Sequence, residues 1–235
     1  MKKFIITSLL LVIALETSYA LEAKILTISG EVKVRRGVEE KWEVAAIGIQ
    51  LKEIDTILTG SEGEVLLELP DGKRFRLGSS AVLDIADLRN ITKQELFLIL
   101  VEDKINKIEK KEGATPLRIG NVSVVHGASR DTSSTPLVKI QFETQEMVRN
   151  GIKALFVQEF YTNTILKIHN IKNEAELSNS CGELYYYLGK SFELIDNPGQ
   201  AIDAYQMVIS SGNGETCSQS EWVIQANAGI KRLQE

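Results

Sequence analysis

The stretch Glu64-Val65-Leu66-Leu67-Glu68-Leu69-Pro70-Asp71-Gly72-Lys73-Arg74-Phe75-Arg76-Leu77 decides the first half of the fold. Val65, Leu67 and Leu69 alternate with Leu66, Glu68 and Pro70, a period of two that sorts side chains onto the two faces of a strand. Pro70-Asp71-Gly72-Lys73 is a turn by mechanism: proline presets its φ, aspartate caps locally, and glycine accepts a positive φ. Phe75 and Leu77 then resume the alternation, so the stretch reads as a hairpin. Upstream, Ile28, Val32 and Val34 alternate with Ser29, Glu31, Lys33 and Arg35. Downstream, residues 83–86, 95–101, 122–125 and 138–142 are further strand candidates. Residues 96–101 are apolar on both faces, which predicts a central or doubly covered strand. Residues 102–112 balance four acids against four lysines and read as a solvated connection or strand edge. Short strands with glycine-containing turns predict an all-β unit reaching to about residue 142.

Beyond Phe142 the period becomes helical. Val148, Ile152, Leu155, Phe156 and Phe160 share one stripe of a helix expected over 144–169. Residues 174–180 are polar and read as a linker or the end of a helix pair. Helices are predicted over 184–195, 200–210 and 220–233; in the last, Trp222, Ala226, Gly229, Ile230 and Leu233 share a face. The expected class is α+β in two modules, an N-terminal all-β domain and C-terminal α-helical hairpins, with the boundary near residue 143.

The 235 residues are 43% apolar, 25% charged and 6% aromatic, with a net charge of −5, an ordinary globular composition. The acidic balance disfavours nucleic acid, which needs a basic face. Lys2 and Lys3 precede the apolar run 4–15, and Ser18 and Ala20 stand three and one residues before Leu21. This is the pattern of a secretory signal peptide over 1–20, cleaved between Ala20 and Leu21. A retained membrane anchor is the alternative, although the run is shorter than the roughly 20 apolar residues a spanning helix needs. Leu21 is not cysteine, which closes the lipoprotein route. The expected mature chain carries −6, and nine acids against four bases fall within 171–235. The expected location is the periplasm or the medium, with no stable membrane span after cleavage.

The β half resembles the FecR domain family. The resemblance is carried by Gly30-Glu31-Val32-Lys33-Val34, Trp42, Gly48-Ile49-Gln50-Leu51, Asp55-Thr56-Ile57-Leu58-Thr59-Gly60, the hairpin from Glu64 to Gly72, and Leu77-Gly78-Ser79-Ser80-Ala81-Val82-Leu83. Glu53-Ile54 stands where the family usually has glycine before Asp55, and His126-Gly127-Ala128 replaces its usual Arg-Gly-Thr. The resemblance implies a β domain over 21–142 and a part in envelope signalling. Residue by residue, Asp55 and Thr59 suit turn-holding hydrogen bonds and Trp42 suits a core anchor. The competing reading makes Asp55, Glu68 and Asp71 catalytic or calcium-binding carboxylates. Calcium needs several oxygen ligands within one tight segment, and these three are dispersed.

The C-terminal part, 181–235, resembles a tetratricopeptide repeat with a capping helix. Leu188-Gly189 takes the Leu-Gly place, Tyr185 and Phe192 the aromatic places, and Ala201 and Tyr205 the small and aromatic places of the second helix. Asn213 stands at the usual proline. Residues 143–180 are a connecting helical segment or a degenerate repeat, since one repeat cannot bury its apolar face alone. The resemblance implies a concave surface that binds peptides or partner proteins. Of the run Tyr185-Tyr186-Tyr187, one member at least is expected in the core. Cys181 and Cys217, one repeat length plus two apart, fall at the same end of neighbouring parallel helices. A disulfide is expected in an oxidising compartment, with two free thiols as the alternative.

No metal or cofactor is expected. His126 and His169 lack partners at metal-site spacing, Ser79-Ser80 lacks a nucleophile elbow, and no phosphate-cradling loop is present. Asn90-Ile91-Thr92 and Asn121-Val122-Ser123 match a glycosylation tripeptide that chance often supplies. The expected function is therefore a non-catalytic, exported interaction, scaffold or sensing protein whose partner is an envelope protein or the cell-wall polymer. An envelope hydrolase using the carboxylates and a membrane-anchored signalling regulator with a retained N-terminal helix are the alternatives.

Overall fold

The computed structural model describes residues 21–39, 41–111, 137–171, 181–211, 217 and 220–235, with the side chains of 106–111 and 137–144 excepted. The expected signal peptide, its cleavage point at Ala20, the strand candidate at 122–125, His126 and the linker at 174–180 lie outside these residues.

Eight strands come first: β1 (Glu22–Ser29), β2 (Val32–Arg35), β3 (Trp42–Val44), β4 (Gln50–Lys52), β5 (Thr56–Thr59), β6 (Glu64–Glu68), β7 (Arg74–Leu77) and β8 (Ala81–Asp84). They form two antiparallel four-stranded sheets, ordered β4-β1-β6-β7 and β3-β2-β5-β8. The period-two pattern explains the packing. Ala23, Ile25, Val34, Leu51, Ile57, Val65, Leu67, Phe75, Leu77 and Leu83 all turn into one core. In the β6–β7 hairpin Val65 stands opposite Leu77 and Leu67 opposite Phe75. Its turn closes with Leu69 N–H donating to Lys73 O at 2.8 Å and Gly72 N–H to Leu69 O at 2.9 Å. Gly72 has φ +80°, the conformation its lack of a Cβ permits.

A 3-10 turn (Ile85–Leu88) leads, among the described residues, to six helices: α1 (Lys93–Lys111), α2 (Leu137–Val157), α3 (Tyr161–His169), α4 (Glu183–Leu194), α5 (Pro198–Ser211) and α6 (Glu221–Gln234). The class is α+β, with sheets N-terminal and helices C-terminal. Several expectations are corrected. The strand expected at 83–86 lies at Ala81–Asp84 and gives way to the 3-10 turn. Residues 95–101 are helix, the first half of α1, and 102–111 complete it. A short continuous apolar run fits a buried strand and a helix equally well, and here the helix wins. Residues 138–142 are likewise helical, within the first turns of α2. Among the described residues the last strand therefore ends at Asp84 and the first α-helix begins at Lys93.

The helix expected over 144–169 is two helices. It breaks at Gln158-Glu159-Phe160, where Glu159 takes φ +69° and Phe160 N–H donates to Leu155 O at 3.0 Å. No glycine or proline marks that break. From α2 onward each helix packs on the next, and α4 also touches α2 and α6. Ser220 caps α6, its hydroxyl accepting from Val223 N–H.

The helices are joined to the sandwich. Leu155 belongs to the sandwich core, with Ala154 and Phe160 packed against it. A Cβ on Gly151 would stand 2.2 Å from Val82 O, so α2 lies on the β8 backbone only because that position is glycine. Asn150 Nδ2 donates to Ser80 O at 2.8 Å.

Candidate interaction surface

Of the three carboxylates singled out above, Asp55 and Asp71 are engaged locally. Asp55, in the β4–β5 turn, is buried. It accepts from Arg36 Nη1 at 2.7 Å, Lys52 N–H at 2.9 Å and Gly37 N–H at 3.0 Å. Burial alone would raise its pKa, but these hydrogen bonds and the Arg36 charge outweigh it and hold the carboxyl below its usual range. Glu68 sits in mid-sheet on β6, opposite Lys24 and Arg74. Asp71 holds its own turn, accepting from Lys73 N–H at 3.0 Å and facing Lys73 Nζ at 3.2 Å. Among the described residues no group of three or more His, Cys, Asp or Glu side chains gathers as a cation site.

A chain of charges joins α3 to the sandwich, and sequence reasoning missed it. Lys167 Nζ lies 2.7 Å from Asp84 Oδ2 and 2.6 Å from Asp87 Oδ2. Thr56 Oγ1 donates to Asp84 at 2.8 Å and accepts from Arg35 Nη2 at 3.0 Å. The Arg35 guanidinium lies 5.4 Å from the centre of the Trp42 ring, so Trp42, half-exposed on a short edge strand, is a lid on a cation and not the core anchor expected. Burial pulls the Lys167 pKa down, and the two carboxylates more than restore it. Nothing in the local sequence around Lys167 announces partners 80 and 83 positions away.

The residues expected to pack the repeat come together around Tyr205. This ring is 1% exposed. It lies between Gly189 of α4 and Gly229 of α6, at which added Cβ atoms would come within 2.7 and 2.6 Å of it. Phe192 and Ala201 are buried in the same cluster, and Tyr185 and Leu188 lie against it. The Tyr205 hydroxyl donates to Glu193 Oε2 at 2.6 Å. Lys190 reaches Glu193 at 3.0 Å, and Arg232 of α6 donates to both of its oxygens at 2.8 and 2.9 Å. Glu193 thus ties three helices; its i,i+3 spacing from Lys190 was the one signal that could have found it.

Cys181 and Cys217 are joined in a disulfide, with Cα atoms 5.2 Å apart. The bond fastens the entry to α4 to the segment before α6.

A row of aromatic rings runs across α2, α4 and α6. Phe156 lies 4.7 Å from Tyr187, Tyr187 5.6 Å from Trp222, and Trp222 5.2 Å from Tyr186, between ring centres. Tyr161 of α3 meets Phe156 at 5.9 Å. Tyr187 is buried, whereas Phe156, Tyr161, Tyr186 and Trp222 are half-buried. Half-buried rings on a rigid helical frame bind apolar side chains or sugar faces at low entropic cost.

Two concavities flank the junction of sheet and helix. A cavity of about 660 Å³ is lined by Leu21, Leu69, Asp71, Lys73, Arg89 and Asn163 among others. A groove of about 560 Å³ runs between edge strand β7 and α2. There Gln158 bridges the strand edge: Arg76 N–H donates to its Oε1 at 2.7 Å, and its Nε2 donates to Arg76 O at 2.8 Å. One side-chain amide thereby satisfies the edge as a neighbouring strand would.

Set against protein-family models, curated proteins and solved structures, the chain matches none. Among the described residues no helix is long and apolar enough to cross a membrane.

Proposed function

We propose that the chain is an exported, non-catalytic interaction protein in which a FecR-like β-sandwich braces tetratricopeptide-like helical hairpins against a partner in the cell envelope. The partner is an envelope protein or the cell-wall polymer. The observation that carries this reading is the aromatic row of Phe156, Tyr186, Tyr187 and Trp222, drawn from three alternate helices and, except at Tyr187, left half-buried. The disulfide supports an oxidising compartment, as the pattern over 1–20 does. The hydrolase alternative has less support, because Asp55 is taken up by Arg36, Lys52 and Gly37.

The test is capture from native envelope with the full chain, with Tyr186→Ala/Trp222→Ala, and with Ile47→Asp/Ile54→Asp on the sandwich, each checked by circular dichroism. The expected result is one partner, or bound cell wall, retained by the wild type and the sandwich variant and lost by the aromatic variant. Retention by the aromatic variant, or no bound species at all, counts against the reading.

A further inference from the structure

Helix α1 has two working faces, and the described residues of the chain pack on one. Leu96 is buried and Leu100 half-buried against the cluster formed by the later helices, and Asp103 meets His169 Nε2 of α3 at 3.0 Å. On the opposite face Leu98 is 65% exposed and Ile105 50%, with Val101 half-buried between them. Positions 98, 101 and 105 are separated by three and then four residues, and the sequence places Ile108 at the next step of three. This is the spacing of a coiled-coil seam, with Leu98 and Ile105 at a, Val101 and Ile108 at d. In that register Leu96 and Asp103 both fall at f, the position farthest from the seam. The face that packs at home and the apolar face left open are therefore the two sides a coiled coil requires.

The flanking charges choose the partner. The e positions are Glu102 and Glu109; the g positions after the first are Lys104 and Lys111. In a parallel pair of identical helices, a g residue meets the e residue five positions further along the other copy. Lys104 then meets Glu109 of the second copy, and the contact recurs by symmetry. An antiparallel pair would set e against e and g against g, glutamate on glutamate and lysine on lysine. The charge pattern that reads as a solvated connection when taken as composition is, at helical spacing, complementary to itself in one orientation.

We propose that the exposed face of α1 is a self-association element, and that its occupant is the same face of another copy of this chain in parallel register. So short a seam would not hold two free peptides together, because each would pay the cost of helix formation. Here α1 is already helical and anchored through Leu96, so association does not bear that ordering cost. Phe97, 59% exposed at a g position, widens the apolar strip at its start. Val101 and Ile108 are β-branched at d, which favours three chains over two.

Sedimentation equilibrium of the full chain over a roughly hundredfold concentration range tests this. The expected result is reversible association to a trimer, and a dimer supports the same seam. Leu98→Asp/Ile105→Asp is expected to be monomeric with an unchanged circular dichroism spectrum. Lys104→Glu sets like charges across the seam and is expected to weaken association roughly tenfold; Lys104→Glu/Glu109→Lys restores it. A wild type that stays monomeric throughout overturns the proposal. So does association indifferent to the Leu98/Ile105 change, or indifferent to Lys104→Glu, the response of an antiparallel pair in which residue 104 faces its own copy and one like-charge pair replaces another.

Discussion

At the residue scale, two buried polar assemblies carry consequences that can be measured. Lys167 compensates Asp84 and Asp87 at the junction of α3 and the sandwich. Lys167→Met leaves two partly buried carboxylates without their cation and is expected to destabilise the fold by about 3 kcal/mol in urea unfolding. Asp55 has a depressed pKa in the folded state. Its contribution is therefore complete above the unfolded carboxylate value near ~4 and is lost as pH falls through the lower folded value. Asp55→Asn is expected to be about 1–3 kcal/mol less stable at neutral pH, with the gap to wild type closing in acid below about pH 4. Gly229 makes the third case. Gly229→Ala drives a Cβ to 2.6 Å from Tyr205 and is expected to cost about 1–3 kcal/mol. Combining it with Tyr205→Leu should cost less than the sum of the two single changes, because the clash then has no target.

At the element scale, the hairpin at 64–77 was legible because its turn chemistry and its alternation agree. Residues 96–101 were not, because six consecutive apolar residues carry no period. What assigns them to helix is tertiary: Leu96 and Leu100 reach the later helices from one face, while Leu98 turns away on the other. The break at Gln158-Glu159-Phe160 was invisible for a similar reason. No breaker residue marks it, and it is held by Phe160 joining the sandwich core and Gln158 bridging the β7 edge. That bridge can be tested directly. Gln158→Ala frees Arg76 N–H to solvent, and its amide hydrogen exchange is expected to accelerate at least several-fold while amides in the centre of β6 are unchanged. Equal acceleration across both strands would mean that Gln158 supports the whole sheet and not its edge. The aromatic row was only partly legible, since the spacing of Tyr185-Tyr186-Tyr187 placed one ring in the core but could not bring Phe156 and Trp222 to the others.

At the scale of the whole molecule, sandwich and helices share packing through Gly151, Leu155 and Lys167, and the last helices are fastened by the Cys181–Cys217 bond. The loop that bond closes would contribute up to about 4 kcal/mol by chain entropy. Cys181→Ser/Cys217→Ser is accordingly expected to melt at lower temperature, with α4–α6 losing protection before β1–β8. A rigid brace under a half-buried aromatic row is what a docking surface needs, because the partner then meets a preformed frame. The central claim is that this row meets the partner. A photo-crosslinking residue placed at Gln225, three positions along α6 from Trp222 and on the same side of the helix, and a second at Ile47 on the sandwich measure it in intact cells. One discrete adduct is expected from position 225 that disappears in the Tyr186→Ala background and has no counterpart from position 47. Adducts from position 47 alone, or a position-225 adduct that survives Tyr186→Ala, would contradict it.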